Sequence, residues 1–349
     1  MEFKNKIKVA KIVLKKDGLK GAVNLARNYY VMKREPDYVS ARPLIVKIEP
    51  TIFCNLRCTH CDRTYWDKPN MAMDLEHFKI VIDKMPFIAS INLQGLGEPT
   101  LNRDIFDMVK YAKSKGMEIG FFSNATLIND TIANKIVDSG LDYINISLDG
   151  ASKEVYEKIR VGAKYEKVIE NIKRLVAVRG NKEKPHISIW FVGLESNYHE
   201  IPGLIRLAKE LGVNHVNIQS AHSWGKDYMQ DKTIGINNAM SKALSILKEA
   251  DKLAKELKIK LTYSTVFDTM QTERGCKAPW LTAYVSVDGY VTPCCMQASD
   301  PRVINFGNIY NSSFNEIWNS HGYKEFRKEL RTGMPKVCVG CPGYYYNTG

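Results

Sequence analysis

Short apolar runs alternate with amphipathic segments of helical spacing between residues 44 and 260. The runs are rich in β-branched and aromatic residues, and this alternation is typical of βαβ units around a parallel sheet. Six strands are predicted, over Leu44–Glu49, Ser90–Gln94, Ile119–Ser123, Tyr143–Leu148, His186–Val192 and His215–Gln219. Helices are predicted after them over Asp74–Met85, Ile105–Lys115, Asp130–Ser139, Tyr165–Val178, Glu200–Leu211 and Asn238–Leu257. Because a closed barrel has eight such units, six predict an α/β fold built on a partial (β/α)6 barrel.

The two ends of the chain have a residue pattern that differs from that of residues 44–260. In residues 1–34 apolar residues recur at helical spacing beside lysines on both sides of Gly18, which predicts two short basic amphipathic helices. The apolar positions of these helices are Phe3, Ile7, Ala10, Leu14, Leu19, Val23, Ala26 and Tyr30. After Lys260, Gly, Pro, Asn, aromatic and Cys residues dominate, with helical stretches only at 313–320 and near 323–330. We therefore predict a helical segment over 1–42, the partial barrel over 43–260 and a small metal-stapled domain over 261–349.

Composition and charge narrow the class of protein. The chain has 349 residues, of which 44% are hydrophobic, enough for one large and one smaller folded core. It has no apolar run of membrane-spanning length and no signal-peptide pattern, so we expect a cytoplasmic protein without a membrane span. Residues 1–34 hold ten Lys or Arg but only Glu2 and Asp17 as acids, and so carry most of the net charge of +12.

The eight cysteines fall into two groups, at positions 54, 58 and 61 and at 276, 294, 295, 338 and 341. A reducing compartment keeps thiols free, which favours metal ligation over disulfides. Two metal sites are therefore predicted.

The first group, Cys54, Cys58 and Cys61, directly follows the first predicted strand. Three thiolates on a four-iron cluster leave one iron open for a cofactor or substrate, whereas four cysteines normally close an electron-transfer cluster. A zinc knuckle is the alternative, but three cysteines without a nearby fourth ligand suit a tetrahedral zinc site poorly.

The spacing Cys-x3-Cys-x2-Cys, with His60 before the last cysteine, resembles the radical S-adenosylmethionine (SAM) superfamily. The resemblance implies a 4Fe-4S cluster whose open iron is chelated by SAM. It also implies reductive cleavage of SAM to methionine and a 5′-deoxyadenosyl radical that abstracts hydrogen from an unactivated carbon.

Four further stretches resemble the SAM-binding motifs of this family, and they lie at or after strand ends, where barrel active sites form. The first is Gly97-Glu98-Pro99, in which Leu96 stands where the family has another glycine. The other residues implied as SAM contacts are His60, Ser123, Asn124, Ser147, Asp149, Arg160 and Gln219, with Arg160 and Ser147 expected at the SAM carboxylate. Taken singly, Asn124, Asp149 and Arg160 could equally be turn caps or a solvated helix face.

The second group contains Cys276-x12-Gly289-x4-Cys294 and a later Cys338-x2-Cys341, for which zinc and 4Fe-4S are both chemically admissible. The arrangement resembles the SPASM/twitch extension of radical SAM enzymes in its shorter form. That resemblance implies one auxiliary 4Fe-4S cluster on Cys276, Cys294, Cys338 and Cys341. Cys295 is left over and is expected to be a buried small residue.

The substrate is the least constrained feature. The basic N-terminal helices suggest an anionic membrane surface, and the leading hypothesis is a hydrophobic or lipid substrate that is oxidised or joined through a new carbon-carbon bond. The alternative for residues 1–34 is a pair of helices that pack against the barrel with their lysines simply solvated. RNA could also bind to this positive charge, although we do not expect nucleic acid as a partner. A soluble sugar or aminocyclitol dehydrogenase, a peptide-modifying enzyme and a nonenzymatic metal-binding adaptor are the other functions considered. The expected partners are SAM and a reductant such as ferredoxin or flavodoxin.

Overall fold

The computed structural model describes residues 3–65, 67, 69–221, 240–264, 276–295, 299–339 and 341. The chain divides into two compact units that do not follow chain order. The first unit contains residues 1–53, 69–119 and 271–349, and the second contains residues 54–68 and 120–270. The first cysteine group therefore belongs to the second unit, and the second cysteine group belongs to the first.

Nine strands and eleven α-helices are found in the described part of the chain. The strands are β1 Ile45–Ile48, β2 Ser90–Leu93, β3 Glu118–Ser123, β4 Tyr143–Ser147, β5 His186–Gly193, β6 His215–Ser220, β7 Lys260–Ser264, β8 Thr282–Val285 and β9 Val291–Thr292. The helices are α1 Phe3–Arg34, α2 Leu75–Lys84, α3 Ile105–Ser114, α4 Asp130–Asp138, α5 Lys153–Ile159, α6 Tyr165–Arg179, α7 Ile201–Glu210, α8 Met240–Leu257, α9 Ala278–Leu281, α10 Phe314–Trp318 and α11 His321–Thr332.

All six predicted strands and the six predicted helices between and after them are present, with ends that differ by at most one residue where the chain is described. Residues 238 and 239, at the start of the last predicted helix, lie outside the described residues. Two parallel strands were not predicted, β7 and β8. The segment Lys260–Ser264 contains Lys, Thr and Ser as well as Leu and Tyr, so its short alternating pattern is weak. The helix α5 was also missed, because seven residues are too few to show a clear helical period.

Parallel pairing is the rule in both units. In the first unit, β1 pairs in parallel with β2 and with β8, and β8 pairs antiparallel with β9. In the second unit, the parallel order is β3-β4-β5-β6-β7. Since the strands run in parallel, their carboxyl ends share one edge within each unit, where βα loops collect polar side chains.

The N-terminal helix α1 is interrupted at Gly18, whose backbone is non-helical with φ 53°. Two helical stretches are therefore present, as predicted, but the buried face is not the predicted one. Val9 and Val13 pack with Ala89, while Asn24 and Asn28 are buried and hydrogen-bond the main chain of Arg42. The predicted apolar positions Ile7, Leu14, Leu19, Val23 and Tyr30 are all exposed instead. In the second stretch of α1 the hydrophobic pattern predicted the wrong buried face, because Asn24 and Asn28 are polar residues but are buried. Their side chains are hydrogen-bonded to main-chain carbonyl and amide groups.

The C-terminal part of the first unit packs around a buried arginine. The guanidinium of Arg327 stacks on Trp318 and Tyr323 and donates hydrogen bonds to the carbonyls of Pro279 and Trp318. Burial lowers the pKa of Arg327 to about 10. No helix in the described ranges is long and apolar enough to cross a membrane.

Candidate functional site

The loop that carries Cys54, Cys58 and Cys61 lies in the second unit and is fixed by main-chain hydrogen bonds. The amides of Arg57 and Thr59 donate to the carbonyls of Val161 and Ile159, at 2.9 and 3.0 Å. Within the loop, the amide of Cys61 donates to the carbonyl of Cys58 at 3.2 Å. These bonds hold the cysteines beside the residue between those two carbonyls, Arg160.

Arg160 forms a buried ion pair at the centre of this arrangement. Its Nε and Nη2 atoms both lie 2.7 Å from Oδ2 of Asp149, and Asp149 is fully buried. The other carboxylate oxygen accepts the amide of Val192 at 2.8 Å. Burial acts to lower the pKa of Arg160, but the charges of Asp149, Cys58 and Tyr156 and the hydrogen bond to Asp149 together outweigh it, and the pKa is raised. Such a guanidinium stays positively charged at any physiological pH.

Two residues of the cysteine loop reach this ion pair. Nη1 of Arg160 lies 4.0 Å from Sγ of Cys58, and Nε2 of His60 lies 3.6 Å from Oδ2 of Asp149. The predicted site residues His60, Asp149 and Arg160 are therefore brought together around Cys58. The expected pairing of Arg160 with the SAM carboxylate stays a prediction, and the protein partner of its guanidinium is Asp149.

Two thiols of the loop, those of Cys58 and Cys61, are buried enough to resist ionisation by themselves. Burial raises the pKa of Cys58 to about 11 and that of Cys61 to about 12. Iron binds the thiolate, so metal binding must supply the positive charge that makes ionisation favourable. Among the described residues, no three His, Cys, Asp or Glu side chains are grouped as ligands of one metal ion. In a four-iron cluster each cysteine binds a different iron, so this donor set of three thiols on one loop fits such a cluster.

A side-chain network joins the cysteine loop to the end of β3. Asn55, next to Cys54, accepts a hydrogen bond from Asn124 at 3.0 Å and donates one to Thr126 at 2.8 Å. Asn124 also accepts from the amide and hydroxyl of Thr126, and Ser123 accepts from the amide of Ala125. Asn55 and Thr126 were not predicted as site residues. In the sequence, the only indication of their role is that they lie close to Cys54 and Asn124, which were predicted as site residues.

Ala125 lies in this network with a left-handed backbone, at φ 58°. The family motif that this stretch resembles has glycine there, and a Cβ in this conformation costs about 1–2 kcal/mol. Ala125→Gly is therefore expected to raise the free energy of unfolding by about 0.5–1 kcal/mol, after the greater freedom of glycine in the unfolded chain is subtracted. Urea unfolding of the metal-free protein measures this difference.

Ala26→Gly is the control for that substitution, since Ala26 is exposed and helical and should lose stability on the same change. Equal losses at both positions would mean that the left-handed backbone at Ala125 carries no strain.

Gly97 and Glu98 lie in the first unit, where they pack against the segment after β1. A Cβ on Gly97 would come within 2.3 Å of the carbonyl oxygen of Thr51, so only glycine fits without a backbone shift. The amide of Glu98 donates to the carbonyl of Phe53 at 2.7 Å, and its carboxylate accepts from the amide and hydroxyl of Thr100. Glu98 thus caps the short turn that begins at Pro99.

Glu49 is a residue of this region that the sequence analysis did not single out. It is buried, it accepts the amide of Leu96 at 3.0 Å, and its other oxygen accepts the amide of Val287 at 3.3 Å. Gly95 leaves room for it, because a Cβ there would lie 2.4 Å from Oε1 of Glu49. In the sequence, the indication of this role is that Glu49 is a carboxylate at the end of an apolar strand.

The two remaining predicted contacts, Ser147 and Gln219, are half-buried at the ends of their strands in the second unit. Ser147 is opposite Trp190 in the register of β4 and β5, and Gln219 is opposite Val192 in β5 and Ser264 in β7. Neither joins the cluster of charged residues around Cys58.

The second cysteine group lies in the first unit. Burial raises the pKa of Cys276 to about 11 and that of Cys338 to about 12, and the charge of Cys341 adds to both. The amide of Cys341 donates to the carbonyl of Cys338 at 3.0 Å, so these two cysteines share one turn. Cys294 directly precedes Cys295 at the end of the short β8-β9 hairpin segment.

The environment of Cys295 is more polar than expected. Its Sγ lies 3.0 Å from Nζ of Lys47 and 3.0 Å from Nε2 of Gln94. The interpretation of Cys295 as a buried small residue is therefore wrong, because two donors point at its sulfur and the residue is only half-buried.

Two family models match the chain. The radical SAM superfamily matches residues 48–208, and the SPASM iron-sulfur cluster-binding domain matches residues 276–342. The chain is a radical SAM enzyme with a SPASM-type C-terminal domain. The family resemblance noted in the sequence is thereby confirmed, as is the fold class of a partial barrel followed by a cluster-binding domain.

Relatives and solved structures agree with this assignment. A tungsten-containing aldehyde ferredoxin oxidoreductase cofactor-modifying protein of Pyrococcus furiosus is 28% identical over 316 residues, which cover 84% of this chain and 86% of that protein. A probable GTP 3′,8-cyclase of Saccharolobus islandicus is 32% identical over 188 residues, 53% of this chain and 59% of the cyclase. The structure of Streptococcus suis SuiB bound to S-adenosylmethionine has the same fold, with a TM-score of 0.69 at 16% identity, and the match covers 99% of this chain and 83% of that one.

Membership of the family defines the cofactors of this radical SAM enzyme. The radical SAM domain implies a 4Fe-4S cluster and SAM, and the SPASM domain implies additional iron-sulfur cluster binding. SAM is therefore a partner of the chain. The ligand residues and the domain boundaries at 42/43 and 260/261 stay predictions.

Proposed function

We propose that Cys54, Cys58 and Cys61 ligate the SAM-binding cluster of this radical SAM enzyme. The observation that carries the proposal is the clamping of the cysteine loop by Val161 and Ile159, which holds the thiols beside the Arg160–Asp149 ion pair. When bound, the cluster and SAM supply the electron and the radical that removes hydrogen from an unactivated carbon. A low-potential donor such as ferredoxin or flavodoxin is proposed to reduce the cluster beforehand, so that the cluster can pass this electron on.

The residues around the loop have distinct tasks in this proposal. Arg160 places a permanent positive charge 4.0 Å from the sulfur of Cys58, which offsets the charge of the thiolate. Asp149 fixes the guanidinium, and its Oδ2 lies 3.6 Å from Nε2 of His60. Ser123, Asn124, Ser147 and Gln219 are proposed to contact SAM from the strand ends of the same unit, while the expected SAM contacts Gly97, Glu98 and Pro99 belong to the first unit.

Cys276, Cys294, Cys338 and Cys341 are proposed to ligate one auxiliary 4Fe-4S cluster. Four thiolates would close that cluster, which suits electron transfer better than direct substrate binding. Iron and sulfide analysis of the reconstituted protein, before and after Cys338→Ala, tests the assignment. Iron content that does not fall in this variant would contradict it.

A polar small molecule, of the kind found in enzyme cofactors, is the proposed substrate. Lys47 in β1 is aligned with Asn92 in β2 and Tyr284 in β8, on the face opposite to the fully buried Val46 and Ile48. Tyr284 is buried and Lys47 donates to Cys295, but Oδ1 of Asn92 is buried without a hydrogen-bond partner in the described part of the chain. A polar molecule would satisfy this oxygen, whereas an acyl chain would not. The Pyrococcus furiosus relative, similar over most of both chains, is named for the modification of a cofactor. No relative described above supports a lipid substrate.

The substrate class is tested by anaerobic assays of 5′-deoxyadenosine formation from SAM. The reconstituted enzyme is incubated with reductant and either a low-molecular-weight polar extract, a lipid extract or a protein fraction of the source cells. The polar extract is expected to stimulate the reaction. Stimulation by the lipid extract alone would overturn this proposal and restore the lipid hypothesis, and stimulation by protein alone would favour peptide modification.

A peripheral membrane contact is a second candidate function, favoured by the exposed face of α1. Leu19 is 82% exposed and Val23 is 45% exposed, beside the exposed basic residues Lys15, Lys20 and Arg27. Exposed apolar residues among lysines suit an anionic lipid surface, where each basic residue contributes about 1 kcal/mol.

The double variant Leu19→Glu/Val23→Glu is therefore expected to lose co-sedimentation with vesicles of phosphatidylserine and phosphatidylcholine at low salt. Val303→Glu, which changes another exposed valine of the same unit, is the matched control and should bind like the wild type. Equal binding by the double variant, or no binding by the wild type, would show that the exposed face of α1 is no membrane contact.

A further inference from the structure

Lys47 is a cation in an unusual environment for a strand residue. It lies in the middle of β1, and its ammonium donates to Sγ of Cys295 at 3.0 Å. In the part of the chain that the structure describes, it forms no ion pair with a carboxylate. A poorly solvated charge needs compensation, and the available groups here are sulfur atoms.

Gln94 gives the same sulfur a second donor. Its Nε2 lies 3.0 Å from Sγ of Cys295, while its Oε1 accepts a hydrogen bond from Nδ2 of Asn92 at 2.6 Å. The bond from Asn92 fixes the orientation of the amide, so that the nitrogen faces the sulfur. A neutral thiol is only a weak acceptor, so the two donors make the surroundings of this sulfur electropositive, one residue from Cys294.

The charge around Lys47 extends beyond Cys295. The negative charge of Cys295 raises the pKa of Lys47 against the opposing effect of burial, and Cys294 and Cys276 act in the same direction. Lys47 also lies beside the proposed auxiliary site by geometry, because its Nζ is 3.0 Å from Sγ of Cys295 and Cys295 directly follows the proposed ligand Cys294. It stays protonated there, as a fixed positive charge beside the cysteines.

We propose that Lys47, together with Gln94, sets the reduction potential of the auxiliary cluster through Cys295. The inference rests on the proposed assignment of that cluster to Cys276, Cys294, Cys338 and Cys341. Reduction adds one negative charge to a cluster, and the nearby ammonium of Lys47 and the amide dipole of Gln94 stabilise the reduced form more than the oxidised form. Lys47 is thus a positioning residue that keeps the auxiliary cluster easier to reduce.

Redox titration of the reconstituted holoenzyme, followed by electron paramagnetic resonance, tests this role. Lys47→Met is expected to shift the midpoint potential of the auxiliary cluster to more negative values and to leave that of the SAM-binding cluster unchanged. Gln94→Leu should give a smaller shift in the same direction, and Lys47→Arg should stay near the wild-type value. Cys338→Ala, which removes an auxiliary ligand, identifies the signal that belongs to this cluster.

Lys84→Met is the matched control. Lys84 is also a half-buried lysine of the first unit, but its ammonium donates to the carbonyls of Ile309, Tyr310 and Ser312. Its removal should weaken folding without moving either potential. If Lys84→Met shifted the midpoint potential of the auxiliary cluster as much as Lys47→Met, destabilisation of the first unit would explain both shifts, and the proposal would be overturned.

Two other outcomes decide the proposal. An auxiliary cluster of full iron content and unchanged potential in Lys47→Met would overturn the role of Lys47 while leaving the cluster assignment intact. If Lys47→Met does not assemble the cluster, the potential of Gln94→Leu decides, and a wild-type value there rejects the inference. A wild-type protein that binds only one cluster would refute the ligand assignment itself, and the inference with it.

Discussion

Arg160→Met is expected to lower the free energy of unfolding by about 3–5 kcal/mol, because it leaves the carboxylate of Asp149 buried without a countercharge. The carboxylate now accepts both Nε and Nη2 of Arg160 and is fully buried. The amide of Val192 would be its main remaining donor, and one neutral hydrogen bond does not replace a guanidinium. Urea unfolding of the metal-free protein under reducing conditions measures the loss without interference from cluster binding.

Two further variants separate charge from geometry in that experiment. Arg160→Lys keeps the positive charge but not the planar fork, so its loss should be smaller than that of the methionine variant. Lys153→Met removes an exposed partner of Glu166 and should change stability little. If Arg160→Met unfolded within about 1 kcal/mol of the wild type, the ion pair would not be the fixed centre that the structure shows.

Cys58→Ala is expected to remove the SAM-binding cluster and to reduce SAM cleavage more than ~100-fold. Loss of a residue that merely supports a metal ligand costs about 10–100-fold in metal affinity or activity, and loss of a ligand should exceed that. Cys58 is the buried cysteine of its group, and its sulfur lies 4.0 Å from Nη1 of Arg160, so water cannot readily replace this sulfur. Iron content and the low-temperature resonance signal of the reduced cluster report the loss directly.

Cys338→Ala provides the contrast for Cys58→Ala, because it removes a proposed ligand from the other group. Each variant should lose one cluster and keep the other, so their resonance spectra should add to approximately that of the wild type. A Cys58→Ala protein that kept both clusters would show that the first group is not the ligand set.

The sequence predicted the strands and helices of the repeats well because these have strong periods. The alternating apolar residues Ile187, Ile189 and Phe191 of β5 are all buried, as their period of two predicts. Helix signals such as Asn129 before α4 are local, since the Asn129 side chain accepts the amide of Ile132. Prediction failed where burial depends on partners distant in sequence. Asn24 and Asn28 are buried in α1 only because Arg42 offers its main-chain groups to them.

The candidate site shows the same division. Motif spacing singled out the first cysteine group, His60, Asp149 and Arg160, and the structure brings Cys58, His60, Asp149 and Arg160 together. Motif spacing could not show that Asp149 is the partner of Arg160, nor that Glu49 supports the turn at Leu96. Both contacts depend on the tertiary packing of the loops. Cys295 was misjudged for a similar reason, since Lys47 and Gln94 lie some 200 or more residues away in sequence.

The central claim is that the first cysteine group supports reductive cleavage of SAM. Its most direct test is the quantification of 5′-deoxyadenosine formed by the anaerobically reconstituted protein with SAM and a strong reductant. The wild type is expected to form it, and Cys54→Ala, Cys58→Ala and Cys61→Ala are each expected to form none above background. A wild type with full iron content that formed no 5′-deoxyadenosine, or cysteine variants that formed it at the wild-type rate, would contradict the account.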